Sequence, residues 1–163
     1  MKKIGKSIAL TAAVTALLLA AVTACDSGYD CTLNNTSYNN IGFYSADTKE
    51  RYPYPDALDI SLMVNGKDSI MIYHIIDAES ISLPMSYTHD TDTVVFHYES
   101  GHSDSLYIEH NNEPYYQSME CGTLMFHKIE EVRHTDVWID SVAIKHKNVN
   151  FKGNENIKIY FYQ

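Results

Sequence analysis

After the first 24 residues the dominant pattern of apolar and polar side chains has a period of two, the signature of strands with one buried face. Leu58, Ile60 and Leu62 point one way, while Asp59 and Ser61 point the other. Asn65-Gly66 then marks a hairpin turn. A two-residue loop pairs Val64 with Lys67 and leaves Ile70 and Ile72 on the polar face. A three-residue loop, Val64 to Gly66, sets them opposite Ile60 and Leu58. A slip of one residue flips every side chain, so burial selects the three-residue loop. A second hairpin runs out from Val94 to Tyr98 and back from Leu106 to Glu109, with Ser100-Gly101-His102-Ser103-Asp104 as its turn. Centred on His102, it pairs Tyr98 with Leu106 and Phe96 with Ile108 on the buried face, and His97 meets Tyr107 on the other.

Further strands are predicted at 40–45, 81–85, 121–130, 138–145 and 156–162. In the last, Ile157, Ile159 and Phe161 alternate with Lys158, Tyr160 and Tyr162. Eight or nine short strands without a long amphipathic helix predict an all-β fold, an antiparallel β-sandwich, Ig-like or similar. The stretches 48–56 and 111–118 are expected as long connections. Any helix should be a single turn near 77–80 or 113–118.

The first 24 residues follow a different pattern. Lys2, Lys3 and Lys6 precede an apolar run from Ile8 to Val22, and small residues lead into Cys25. These are the parts of a secretory signal. The run is shorter than the roughly 20 residues a spanning helix needs. Val22-Thr23-Ala24-Cys25 resembles the lipobox of bacterial lipoproteins. That resemblance implies a signal peptide over 1–24, acyl chains on Cys25, a short tether over 25–30 and one domain over 31–163. Each buried CH₂ contributes roughly 0.8 kcal/mol, so two or more chains hold stably where one does not. Palmitate-type acylation of Cys25 would bind the protein to a membrane of the cell envelope without a spanning segment, and the expected location is the outer membrane, at its periplasmic face or the cell surface.

Removing the leader takes three of the 12 basic residues and none of the 21 acidic ones, so the remainder carries a net charge of −12. Such a surface repels phosphate backbones and argues against nucleic-acid binding. It also disfavours docking on anionic headgroups beyond the lipid anchor. Once Cys25 is acylated, Cys31 and Cys121 remain. In an oxidising compartment they form the one available disulfide, or stand as two buried thiols. Five residues separate Cys25 from Cys31, a segment that reaches about 20 Å fully extended, so the domain should sit close to the bilayer.

Candidate chemistry is sparse. Gly101-His102-Ser103-Asp104 partly matches a nucleophile elbow, but Ser105 replaces the second glycine and the context is a hairpin. Its residues suit turn chemistry instead. His97, Glu99, His110 and Glu113 could approach one another, yet a zinc site needs three or four converging ligands, and His74, His89, His127, His134 and His146 are scattered. No metal or cofactor is expected. In His89-Asp90-Thr91-Asp92-Thr93 the carboxylates lack the spacing of a calcium loop and fit turn capping. Tyr52-Pro53-Tyr54-Pro55 and Pro114-Tyr115-Tyr116 place tyrosines beside stiff prolines. Tyr52, Tyr54, Tyr115 and Tyr116 form a candidate surface for protein or glycan, or else close the ends of the sandwich.

Several segments carry a wider likeness: Cys31, Tyr52-Pro53-Tyr54-Pro55-Asp56, Leu83-Pro84-Met85, Cys121-Gly122, His134-Thr135, Ile139-Asp140-Ser141-Val142 and Asn156-Ile157-Lys158-Ile159. Together they resemble a family of uncharacterised lipoproteins of gut-type Gram-negative anaerobes, a domain of unknown function. The resemblance implies an envelope location and a small β-rich domain, and supplies no catalytic residue. The expectation is a non-enzymatic lipoprotein that contacts another envelope protein. A glycan- or peptide-binding module is the alternative, and a hydrolase whose site is assembled from distant residues comes last.

Overall fold

Two sheets face each other and bury the apolar side of each alternating strand. The computed structural model describes residues 37–163 apart from 65 and 120. The leader, Cys25 and Cys31 lie outside the described residues. Ten strands follow in order: β1 (Tyr38–Ser45), β2 (Leu58–Val64), β3 (Lys67–Ile75), β4 (Ser80–Pro84), β5 (Thr91–Tyr98), β6 (Ser103–Ser118), β7 (Gly122–His134), β8 (Ile139–Ile144), β9 (Asn148–Val149) and β10 (Glu155–Phe161). One sheet has the order β4-β1-β10-β8, the other β3-β2-β5-β6-β7-β9. Only β1 and β10 run parallel. The fold is a β-sandwich, as the period of two predicts, with ten strands rather than eight or nine and no helix among the described residues.

The core lies where Phe43 and Phe161 of the smaller sheet meet Phe96 of the larger. Phe43 stands edge-on to both, with ring centroids 6.3 Å from Phe96 and 5.2 Å from Phe161. All three are fully buried, as are Ile157 and Ile159, so the alternation expected in the last strand holds. Fully burying such a side chain stabilises the fold by about 1.5–3 kcal/mol, enough for these rings to set how the two sheets meet.

The first hairpin differs from expectation. Val64 pairs with Lys67 across a two-residue loop in which Gly66 has φ 73°. Ile70 therefore opposes Ser61 on the outer face. A bulge then advances the register, so Ile72 opposes Ile60 and packs against the core. The turn chemistry of Asn-Gly prevailed, and the bulge restored burial for one of the two isoleucines.

The second hairpin is also re-registered. Gly101, at φ 80°, donates its N–H to the Tyr98 carbonyl at 2.9 Å, and Tyr98 N–H donates to the His102 carbonyl at 3.0 Å. The loop is thus Glu99–Gly101, a turn closed by a left-handed glycine. Val94 opposes Leu106 and Phe96 opposes Asp104. This register lies an even number of residues from the expected one, so faces are preserved and Phe96, Tyr98, Leu106 and Ile108 are buried. His97 and Tyr107 do not meet: they oppose Ser103 and Thr93.

Residues 111–118, expected as a connection, are the second half of β6 and pair with β7. Pro114 suggested a loop because it lacks a backbone donor. Strand pairing with β5 stops at Glu109, and a last backbone bond on that side runs from His110 N–H to the Asp90 carbonyl at 2.9 Å. By Pro114 β6 is laddered to β7 alone and a proline is tolerated.

Candidate functional site

Strand β3 is one free edge of the larger sheet, the two-residue β9 being the other. None of its nine side chains is fully buried. Ile70, Met71 and Tyr73 are exposed, Tyr73 to 75%, and Met63 and Ile76 extend the apolar strip. Edge strands are usually blunted by charge or bulges. Here Lys67 and Asp68 guard the start, and His74 and Asp77, both at φ 53°, bend the end. Between Ile70 and Tyr73 no charged side chain intervenes, and the bulge at Met71 is the one device that interrupts the edge.

Near Met63 a cleft of about 370 Å³ opens between the end of β2, the end of β4 and the start of β5. Leu62, Met63 and Met85 supply apolar surface, and Ser86, His89 and Asp92 polar atoms. Ser86 Oγ lies 3.1 Å from His89 Nδ1, but it also accepts N–H bonds from Thr88 and His89, which makes it a turn cap. Asp92 bonds neither the Ser86 hydroxyl nor the His89 ring. Its Oδ2 accepts the Ser86 N–H at 3.0 Å and lies 3.1 Å from His110 Nε2, out of line for a good hydrogen bond. Behind it the buried rings of His110 and His127 meet edge-on at 5.2 Å. His127 Nδ1 bonds Asn112 Oδ1 at 2.7 Å, its Nε2 has no partner, and Tyr87 stacks on the ring. Burial and the neighbouring His110 lower its pKa to about 4, so this imidazole is neutral at pH 7.

At the opposite end of β5 the carboxylate of Asp104 is fully buried. It accepts bonds from Tyr98 Oη, Thr135 Oγ1 and the N–H groups of Val137, Trp138 and Ile139. Burial pushes its pKa up, but these donors outweigh that and hold it below the usual carboxylate range. Burial raises Tyr98 in turn, with the Asp104 charge adding to it. The paired halves of β6 and β7 beyond Glu109 form an arm. On it Tyr115 stacks on Phe126 at 4.8 Å, and Phe126 meets the exposed Phe151 at 5.3 Å.

A model of the family of unknown function DUF6452 matches residues 58–161. The chain belongs to this family. The DUF6452 match runs from the first residue of β2 to the last of β10, so it takes in the β3 edge, the cleft and the arm. No curated protein and no solved structure matches the chain.

Within the DUF6452 region, the residues singled out by sequence separate into several places. Tyr115 and Tyr116 are exposed on the arm, on opposite faces of β6. Tyr52 and Tyr54 precede the match. Tyr54 is buried against Tyr98 and Phe161, and Tyr52 packs beside the core, so the four tyrosines form no single surface. Burial pushes the Tyr54 pKa up to about 12. Cys121 lies in the turn between β6 and β7, while its expected partner Cys31 and the lipidation residue Cys25 lie outside the described residues. His97 bonds Ser61 Oγ at 3.0 Å on the outer face, far along the strand from His110. Among the described residues no group of three or more His, Cys, Asp and Glu is placed to hold a metal ion. Sequence reading missed the Asp104 anchor and the His110–His127 pair. The only available signal was a polar residue at an inward position of each strand.

Proposed function

We propose that this is a lipid-anchored envelope protein, acylated at Cys25 and closed by a Cys31–Cys121 disulfide. Its sandwich acts as a non-enzymatic module that receives an extended segment of another envelope protein along β3. The exposed, uncharged side chains of Ile70, Met71 and Tyr73 on a free sheet edge carry this reading. Strand addition supplies backbone hydrogen bonds for affinity and alternate side-chain contacts for specificity. A photo-cross-linking residue at Tyr73 in intact cells should trap one specific heterologous protein, and Ile70→Lys should abolish the adduct. Recovery of the monomer alone would sink the proposal.

The cleft beside Met63 supports a second reading, a small glycan or peptide ligand held on apolar surface with polar groups at the rim. A glycan array gives the direct test, with Met63→Arg, at an exposed position of the lining, blocking the cleft as the control.

A further inference from the structure

We propose that the β6–β7 arm, with the loop between β9 and β10, is a surface that lays the sandwich on the anionic lipid bilayer holding its anchor. This rests on the reading of Cys25 as acylated.

Three observations converge on that surface. The first is apolar. Tyr115, Phe126 and Phe151 form one aromatic cluster on one face of the arm, Phe151 is 60% exposed, and Met119 at the arm's tip is 90% exposed. Aromatic rings of this kind favour the headgroup level of a bilayer.

The second is charge. The chain beyond the leader has 21 acidic and nine basic residues, yet residues 145–154 hold three lysines and no acid. Lys145, Lys147 and Lys152 line a polar hollow with Asn150 and Asn154, beside Phe151. Lys128 lies two residues from Phe126 on the same strand face. Glu155 and Glu130 engage Lys145, Lys147 and Lys128, and Lys152 is not among their partners. Glu113 lies opposite Phe126 on the same face, so the four lysines outnumber Glu113, Glu130 and Glu155 by one. The average charge disfavours anionic headgroups, and this small excess, centred on Lys152, offsets it only within about a Debye length. Lysines around an apolar cluster can keep their ammonium groups at the phosphates while the rings enter deeper.

The third is connection. Ser37, buried, donates its hydroxyl to the Met125 carbonyl at 2.6 Å, in the arm itself. Twelve positions separate Cys25 from Ser37, and a fully extended chain of that length spans about 40 Å. A lipid on Cys25 therefore keeps the point where the chain joins the arm within about 40 Å of the bilayer.

The test uses the full acylated protein carrying Phe151→Trp, in vesicles of phosphatidylcholine with phosphatidylglycerol, with brominated acyl chains as quencher. The introduced indole should be quenched about twofold or more beyond the Trp138 signal of the parent. Lys147→Glu with Lys152→Glu should reverse the gain. Tyr73→Trp, on β3, should show none. Anchored protein whose introduced indole stays unquenched overturns the proposal, as does a dimer that shields it without vesicles. Should Phe151→Trp fail to fold, Tyr115→Trp takes its place. Palmitate labelling of the same samples reports the anchor separately. If no label is taken up, the anchor reading fails, and the arm is judged by sedimentation with vesicles. Binding no stronger to anionic than to neutral vesicles then overturns it too.

Discussion

Tyr98 Oη donates to Asp104 Oδ2 at 2.9 Å across one hairpin, and this bond joins a buried ring to a buried charge. Asp104 in turn caps the N–H groups of Val137, Trp138 and Ile139, which fixes the entry of the chain into β8. The carboxylate thus ties the larger sheet to the smaller through polar atoms rather than through the core. Breaking a buried, paired charge is costly because its partners remain buried. Asp104→Ala should destabilise the fold by about 3 kcal/mol, and Tyr98→Phe by about 1–2 kcal/mol, in urea unfolding. Equal midpoints for wild type and Asp104→Ala would show that water replaces the carboxylate.

The β2–β3 hairpin makes a sharper comparison. Ile70 is exposed opposite Ser61, and Ile72 packs on the core opposite Ile60. Ile72→Asp should cost about 2 kcal/mol, whereas Ile70→Asp should stay within about 0.5 kcal/mol of wild type. Equal costs would restore the three-residue loop.

That pair also shows what the sequence could and could not convey. Period two and the left-handed demands of Gly66 and Gly101 are local, so the strands and the places of the two hairpins were legible, while both registers, and the face of Ile70, were not. Bulges are not local, because they settle a competition between turn geometry and burial elsewhere, as between Ile70 and Ile72. The extension of β6 through Pro114 depended on β5 ending opposite Glu109, which no short window reveals. The same holds for the sites. Asp104 read as a turn residue because its five donors come from positions 98 and 135–139. The His110–His127 contact depends on the β6–β7 register.

Gly42 is required by packing rather than by its backbone angle. A Cβ there would run into the Glu155 carboxylate and the Arg51 guanidinium, which pair above it. Glu155 also accepts from Tyr44 and Lys145. These are flexible ends, so Gly42→Ala should displace the pair without breaking the β1–β10 ladder. The expected cost is about 1 kcal/mol, and most of it should vanish in the Glu155→Ala background. A cost unchanged by that second substitution would place the clash on the backbone.

The proposed Cys31–Cys121 bond would close a loop of about 90 residues, for which chain entropy gives roughly 4–5 kcal/mol before strain. Intact-mass measurement with and without reductant should show a two-proton difference. Cys121→Ser should lower the thermal midpoint by several degrees, and the reduced wild type should match it. An oxidised mass identical to the reduced one would remove the bond.

Acid should loosen the protein from the His110–His127 side first. His127 titrates near 6.5 when free and near 4 in the fold, because burial and the adjacent His110 oppose its charge, with Asp92 only partly offsetting them. Between those values the unfolded chain takes up a proton that the folded chain refuses, so stability declines as pH drops from about 6.5 to about 4. Asp104 and Glu155 are held below the usual carboxylate range, so their contribution is complete above that range and disappears only as pH falls through their lower folded values. Thermal midpoints should therefore fall in two limbs. His127→Gln, which keeps a polar group near Asn112, should flatten the upper limb and leave the lower one. An unchanged upper limb in that variant would show that His127 is not the group responsible.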